Sequence, residues 1–127
     1  MTSNISSSYD YFKIIDDTVV DSISKQANGD KQFVSMLFES FIAEGNETLI
    51  MIETALKNND YKTIGEVVHA LKGLAGTMGV SQVFELCKDI DAALKQSNIN
   101  EAMRLLPLLK LKYQVANDLI TTNYLQA

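Results

Sequence analysis

The only histidine of the chain, His69, has an unusual set of neighbours at helical spacing. Gly65 and Gly73 lie four residues before and after it, Gly76 lies seven residues after it, and Lys72 lies three residues after it. Residues three, four and seven apart share a helix face, so the glycines would surround the imidazole and Lys72 would flank it. A neutral imidazole can accept a phosphoryl group on a ring nitrogen, and a nearby ammonium would offset the added charge.

The three glycines need an explanation, because glycine inside a helix costs roughly 1 kcal/mol relative to alanine. On that scale Gly65, Gly73 and Gly76 together lose about 2–3 kcal/mol. Glycine removes side chains from a surface and permits close backbone contact, so the loss is understandable if a partner must reach His69. We therefore interpret the glycines as a binding surface around the histidine.

Other interpretations of His69 remain open at this point. A lone surface histidine is commonly an incidental solvated side chain. A zinc site would need further ligands, and the chain has no second histidine and a single cysteine, so we expect no metal and no cofactor. Hydrolysis would need a nucleophile and an orienting acid, and the spacing around His69 supplies no recognisable pair.

The element that carries His69 is one of several predicted helices, because apolar residues recur at helical spacing almost throughout. A short first helix is predicted before "QANGD", and Asp30 is expected to cap a long second helix. Gly45 and Asn46 are expected to bend that helix. Its predicted core-facing residues are Phe33, Leu37, Phe41, Ile52, Ala55 and Leu56.

Three further helices follow along the chain. Asp60 is predicted to cap the helix of His69, which ends at Gly79, and Ser81 is predicted to cap the next. After "QSNIN" the last helix should run to about Thr122, with a kink at Pro107. Short connections between antiparallel helices indicate an all-α fold, an antiparallel four-helix bundle with a short extra N-terminal helix.

Composition limits the classes of function. The chain has 127 residues, which suits a single domain over 1–127, with 1–8 expected to be a flexible N-terminus. Its net charge is −5 and its basic residues are scattered, so we expect no nucleic acid partner. No long apolar run or signal peptide is present, so no membrane insertion is expected. Cys87 lies in an apolar stripe, which suits a cytoplasmic protein.

The stretch "HALKGLAGTMG" resembles the signature of histidine-containing phosphotransfer (HPt) domains. The likeness extends to "FVSMLFESF" before it and "VFELCKDID" after it, and covers about Ile15 to Ile120. Leu74 departs from the small residue common in the family, and Asp91 stands where many members carry Glu or Gln close to the histidine. The matching signature residues are His69, Leu71, Lys72, Gly73, Ala75, Thr77 and Gly79.

The resemblance implies a carrier protein in a multi-step phosphorelay rather than an enzyme with its own ATP site. His69 would take a phosphoryl group from the aspartate of one receiver domain and pass it to another, and the receiver would supply the metal ion. The implied partners are response-regulator receiver domains and a hybrid sensor kinase, and a monomer is expected. The alternative is a helical adaptor that docks on receiver or kinase domains without carrying phosphate.

Two details follow from this resemblance. Because the chain starts with Met and covers little beyond the bundle, we expect a free-standing protein, the alternative being a module of a larger kinase. Asp91 lies roughly 90° from the centre of its helix's apolar stripe, at the border of the core. A hydrogen bond from one ring nitrogen of His69 to Asp91 would leave the other nitrogen free to attack phosphorus, whereas a solvated Asp91 would have no contact with His69.

Overall fold

The computed structural model describes residues 8–125, and within them it contains five helices beyond a first helical turn, and no strand. The all-α prediction is therefore confirmed. The predicted flexible segment falls largely on residues 1–7, which lie outside the described part. The helices are α1 (Asp17–Gln26), α2 (Lys31–Lys57), α3 (Tyr61–Met78), α4 (Ser81–Lys95) and α5 (Ile99–Asn123).

Side-chain caps set the beginnings of α2 and α3 where the sequence predicted them. The carboxylate of Asp30 accepts hydrogen bonds from the first backbone N–H groups of α2. Asp60 does the same for α3, through Thr63. Gly79 ends α3 with a left-handed φ of 73°, a conformation that glycine adopts without steric cost. These caps fix the two ends of the helix that carries His69.

The start of α4 differs from the prediction. Val80 occupies the N-cap position without a side-chain hydrogen bond, and Ser81 is already the first helical residue. The hydroxyl of Ser81 instead donates to the carbonyl of Gly79 at 3.4 Å. Val80 is fully buried, so core packing positions this turn. The prediction of Ser81 as the cap was wrong for that reason.

The core face of α2 also needs a correction. Phe33 and Leu56 are exposed and Leu37 is only half-buried, whereas Phe41, Ile52 and Ala55 are buried as predicted. The residues of the true core face are spaced alternately by four and three positions. Some of these positions hold small or polar residues, so a search for hydrophobic residues alone does not find them. The residues of this face are Val34, Phe38, Phe41, Gly45, Thr48, Ile52 and Ala55, and Ser35 beside Val34 is buried as well.

The two residues expected to bend α2, Gly45 and Asn46, lie within an uninterrupted helix. Gly45 is buried there because the ring of Tyr113 from α5 packs directly on it. Pro107 lies inside α5, which continues past it to Asn123. The kink at Pro107 stays a prediction.

The four long helices pack in chain order around one apolar core. α3 lies between α2 and α4, α4 packs against α5, and the contact between α2 and α5 is the sparsest of these neighbouring pairs. Fully burying one such aliphatic or aromatic side chain stabilises a fold by about 1.5–3 kcal/mol. The largest fully buried side chains include Phe38, Phe41, Ile64, Leu71, Leu86, Ile90, Leu109, Tyr113 and Ile120.

The segment before α1 is anchored to the bundle. The buried Tyr9 donates its hydroxyl hydrogen to Asp89 at 2.5 Å, and Gln82 donates to the carbonyl of Phe12 at 2.9 Å. At the entry to α1, the backbone N–H of Asp16 donates to the carbonyl of Gly79 at 2.7 Å. Among the described residues, no helix is long and apolar enough to span a bilayer.

Candidate functional site

His69 lies in the middle of α3, on the side away from the core. The buried residues of this helix recur every three or four positions, at Ile64, Val68, Leu71 and Ala75, and all four are fully buried. His69 falls outside that stripe, and its side chain is 60% exposed. The imidazole is therefore open to solvent.

Asp91 of α4 approaches His69 from the neighbouring helix. Its side chain is only 8% exposed, and its Oδ2 lies 3.3 Å from Nδ1 of His69. An ionised carboxylate only accepts hydrogen bonds, so the contact fits a ring with its hydrogen on Nδ1. In a neutral ring of that tautomer, Nε2 holds the lone pair. The alternative of a solvated Asp91 without contact to His69 is therefore wrong.

Two ammonium groups share the same carboxylate oxygen. Nζ of Lys72 lies 3.0 Å and Nζ of Lys95 lies 3.1 Å from Oδ2 of Asp91. Burial of Asp91 by itself raises the carboxyl pKa, but the hydrogen bonds from Lys72, Lys95 and His69 outweigh it and lower the pKa to about 2. Asp91 is consequently an anion at any physiological pH.

The two lysines differ in their surroundings. Lys72 follows His69 on α3, and its side chain is only 24% exposed. Lys95 stands at the end of α4, four residues after Asp91, and its side chain is 67% exposed. Sequence analysis found Lys72 and missed Lys95. The spacing of four residues between Asp91 and Lys95 on one helix was the signal that could have found it.

A groove of about 540 Å³ opens beside His69, between α3 and α4. Gly65 and Leu94 lie along it, and Lys95 lines it together with Asp91. A Cβ at Gly65 would stand 3.7 Å from Leu94, an ordinary contact, so the glycine widens the groove without being required by packing. We call this concave surface the His69 groove.

The glycines predicted to surround His69 have three different environments. Gly65 borders the His69 groove, and Gly73 is exposed with open space where a side chain would be. At Gly76 a Cβ would stand 3.2 Å from the ring of Phe84, so this exposed glycine is not surrounded by bare surface. The interpretation of the three glycines as a binding surface stays a prediction, and at Gly76 packing against Phe84 also contributes.

Other reactive groups are remote or covered. Desolvation by burial raises the pKa of the Cys87 thiol to about 12, which keeps it protonated and unreactive at neutral pH. Among residues 8–125, no group of three His, Cys, Asp or Glu side chains is arranged to hold a metal ion. His69 as the phosphorylation site stays a prediction.

A second groove lies between α2 and α5, on a different pair of helices. It encloses about 250 Å³ and is mainly apolar, with Leu49, Leu56, Met103 and Pro107 among its lining residues. An ion pair between Lys110 and Glu53, 3.1 Å long, stands on its lining. The α2–α5 groove has no histidine or cysteine, so it offers no nucleophile comparable to His69.

Comparisons with known proteins bear on the family and the fold of this chain. Residues 36–119 match the Hpt domain family, a span that includes His69, Lys72, Asp91 and Lys95. A solved structure with a similar fold is that of histidine-containing phosphotransfer protein B (HptB) from Pseudomonas aeruginosa PAO1. The TM-score is 0.79 at 19% sequence identity, over 87% of this chain and 94% of that chain. No curated protein matches the chain.

Proposed function

The chain belongs to the Hpt domain family, and from this premise we propose that it carries a phosphoryl group on His69 between receiver-domain aspartates. Family membership makes it a histidine phosphotransfer protein, a phosphoryl carrier rather than a kinase. The identity of the carrier residue and the direction of each transfer belong to the proposal. The observation that carries it is an exposed imidazole whose Nδ1 lies 3.3 Å from Oδ2 of a buried carboxylate, that of Asp91.

The chemistry follows from the tautomer. Nε2 of His69 attacks the phosphorus of an aspartyl phosphate, a new N–P bond forms, and the P–O bond to the partner's carboxylate breaks. The carboxylate leaves with the bonding electrons. No proton has to move, because Nε2 enters the step with a lone pair and Nδ1 keeps its hydrogen. Delivery to the next receiver is the same step reversed.

Asp91 has a specific part in this step. A ring that holds a phosphoryl group on Nε2 and a hydrogen on Nδ1 carries a positive charge, and the carboxylate of Asp91 at 3.3 Å stabilises that charge. The pKa of Asp91, lowered to about 2 against its burial by the hydrogen bonds that it accepts, keeps the carboxyl from taking the proton. Asp91 is thus proposed as the residue that orients His69 and stabilises its phosphorylated form.

The binding surface proposed for the partner is the exposed face around His69. Gly73 leaves bare surface on one side, and Gly65 opens the His69 groove on another. Receiver domains and kinases are the partner classes of the Hpt family. A hybrid sensor kinase as donor, a monomeric state and a cytoplasmic location are parts of this proposal.

The test is transfer of ³²P from phosphorylated receiver domains to the purified protein. The wild type should acquire an acid-labile label and pass it to a second receiver, whereas His69→Gln should fold normally and acquire none. Glu39→Gln, a conservative change at an exposed position of α2, serves as the matched control and should behave as the wild type. Label on His69→Gln would overturn the assignment. A wild type that binds receivers but never acquires label would favour the adaptor.

A further inference from the structure

Two lysines contact one oxygen of Asp91, but only one of them can leave it readily. Lys72 and Lys95 lie 3.0 and 3.1 Å from Oδ2, so their hydrogen bonds to the carboxylate are equivalent in length. Their side chains are 24% and 67% exposed, so Lys72 is largely covered by protein while Lys95 stands mostly in water. A solvated ammonium exchanges one anionic partner for another at little cost, because water replaces the contact that it gives up.

Lys95, like Lys72, lies close to the imidazole through their shared contact with Oδ2 of Asp91. Nζ of Lys95 and Nδ1 of His69 both contact Oδ2 of Asp91, at 3.1 and 3.3 Å, so their separation cannot exceed the sum of these distances. Lys95 lines the His69 groove together with His69 itself, and Lys72 is not part of that lining. A lysine side chain has four flexible methylene groups, so a shift of a few ångströms along the groove is within its reach.

We propose that Lys95 is the cation that pairs with the phosphoryl group on His69, while Lys72 stays with Asp91. This inference rests on the proposed function. Phosphorylation brings a strongly anionic group into the His69 groove, a few ångströms from the carboxylate of Asp91. Lys95 turns from Asp91 to the phosphoryl oxygens, and Lys72 alone continues to neutralise the buried carboxylate. The role that the sequence suggested for Lys72 thereby passes to Lys95.

The different roles of Lys72 and Lys95 follow from the burial of Asp91 and Lys72. If Lys72 left Asp91, the buried carboxylate would lose its covered partner, which is strongly unfavourable in a low-dielectric environment. If Lys95 leaves, Asp91 still accepts hydrogen bonds from Lys72 and from Nδ1 of His69. The simpler account of Lys95 is a surface ion pair with the residue one turn earlier on α4, and the experiment must separate the two.

The experiment loads the purified protein with phosphoramidate and follows the phosphoryl group by ³¹P NMR. In loading, Nε2 attacks the phosphorus of phosphoramidate whose nitrogen is protonated, the P–N bond of this donor breaks, and ammonia leaves with the bonding electrons. Two readouts are taken: the loading rate, and the pH at which the bound phosphoryl group titrates. A neighbouring ammonium favours the dianion, so its removal raises that titration pH. A purely structural role would leave the titration unchanged.

Lys95→Gln should slow loading roughly tenfold and raise the titration pH of the phosphoryl group by about 0.5–1 unit. Lys95→Arg should restore most of both. The matched control is Lys88→Gln on the same helix, where the lysine forms an ion pair with Glu85, and it should change neither quantity. Lys72→Gln should lower the free energy of unfolding but move the titration pH less than Lys95→Gln does.

The outcomes separate this inference from the function on which it rests. If the wild type takes no phosphoryl group on His69, the proposed function fails. If the wild type loads and Lys95→Gln behaves as Lys88→Gln, the assignment of Lys95 is overturned while the carrier role stands. A larger shift of the titration pH in Lys72→Gln, or in a Lys62→Gln variant at the edge of the same groove, would assign the phosphate to that lysine instead.

Discussion

Two helical glycines, Gly73 on α3 and Gly45 on α2, show how differently two regions of the bundle are built. Around Gly73 there is open space, and His69 stands one turn away on the same exposed face. Gly45 is buried under the ring of Tyr113 from α5, at the sparse contact between α2 and α5. Glycine thus keeps the surface open in the first region, and in the second it makes room for an aromatic ring from the neighbouring helix.

The two regions also satisfy their buried polar groups differently. Tyr113 keeps its hydroxyl neutral and donates to the carbonyl of Ile42 at 2.7 Å, and desolvation by burial raises its pKa. Asp91 is charged and is held by three donors from two helices. The region of Tyr113 is closed and neutral, and the region of Asp91 is open and charged. The proposed phosphoryl transfer needs an open and charged region like that of Asp91.

The largest expected effect is on the closed region. In Gly45→Ala the new Cβ would overlap the ring and the hydroxyl of Tyr113, so either the ring or the helix pair must move. Overpacking of this kind costs about 3 kcal/mol at the upper end of its usual range. We expect that loss in the free energy of unfolding by urea, with unchanged phosphoryl loading of the folded fraction. A stability equal to the wild type would mean that α2 and α5 separate freely.

The second largest effect concerns the charged region and the loss of its stability at low pH. The folded pKa of Asp91 is about 2, against an ordinary value of 3.8, so its contribution to stability is complete above about pH 4 and is lost as the pH falls towards 2. The contribution is about 2 kcal/mol, from the size of the shift. Asp91→Asn should therefore be less stable than the wild type at pH 7, with the difference shrinking towards pH 2. A difference that is independent of pH would contradict the ion pairing.

The third effect is an increase in stability rather than a loss. Gly73→Ala adds a methyl group in open space and replaces a glycine in a helix interior, so the protein should gain about 1 kcal/mol in the free energy of unfolding. Phosphoryl transfer from a receiver domain should slow, because the added group stands on the proposed binding face. Faster or unchanged transfer in the stabilised variant would show that the glycine has no part in access.

Much of the fold could be predicted from local signals. Asp30, Asp60 and Gly79 fix helix ends through hydrogen bonds and backbone conformation within a few residues, so the sequence carries that information. The core face of α2 was partly wrong, because burial there depends on which partner residue stands opposite. Gly45 is buried only because Tyr113, 68 positions later in the chain, packs on it.

In the candidate site, too, some features follow from local sequence and others depend on how the helices pack. The exposure of His69 and the location of Asp91 at the border of the core follow from the rotation of each residue about its own helix. Which side chains of α3 and α4 contact each other depends on how the two helices pack. Local sequence patterns do not contain that information. For this reason sequence analysis could not show that the ammonium of Lys72 reaches Asp91 on the neighbouring helix. Lys95 was missed although it lies four residues after Asp91 on the same helix, where the local spacing could have found it.

The smallest effect is expected at Gly76, which is exposed like Gly73 but, like Gly45, has an aromatic ring near the position of a Cβ. This glycine is exposed and helical like Gly73, so alanine should gain about 1 kcal/mol from helix propensity. A Cβ there would also stand 3.2 Å from the ring of Phe84, and the ring must yield by a few tenths of an ångström. Displacing a side chain from its preferred rotamer costs about 0.5–1.5 kcal/mol.

The two contributions nearly cancel, so Gly76→Ala should change the free energy of unfolding by less than about 0.5 kcal/mol. The cancellation can be tested by making the same change in a Phe84→Leu background, where the ring is absent. There the alanine should stabilise the protein as much as Gly73→Ala does in the wild type. If Gly76→Ala already stabilises by the full amount with Phe84 present, the ring is loosely held and Gly76 belongs with Gly73. If the alanine destabilises in both backgrounds, a contact other than Phe84 requires the glycine.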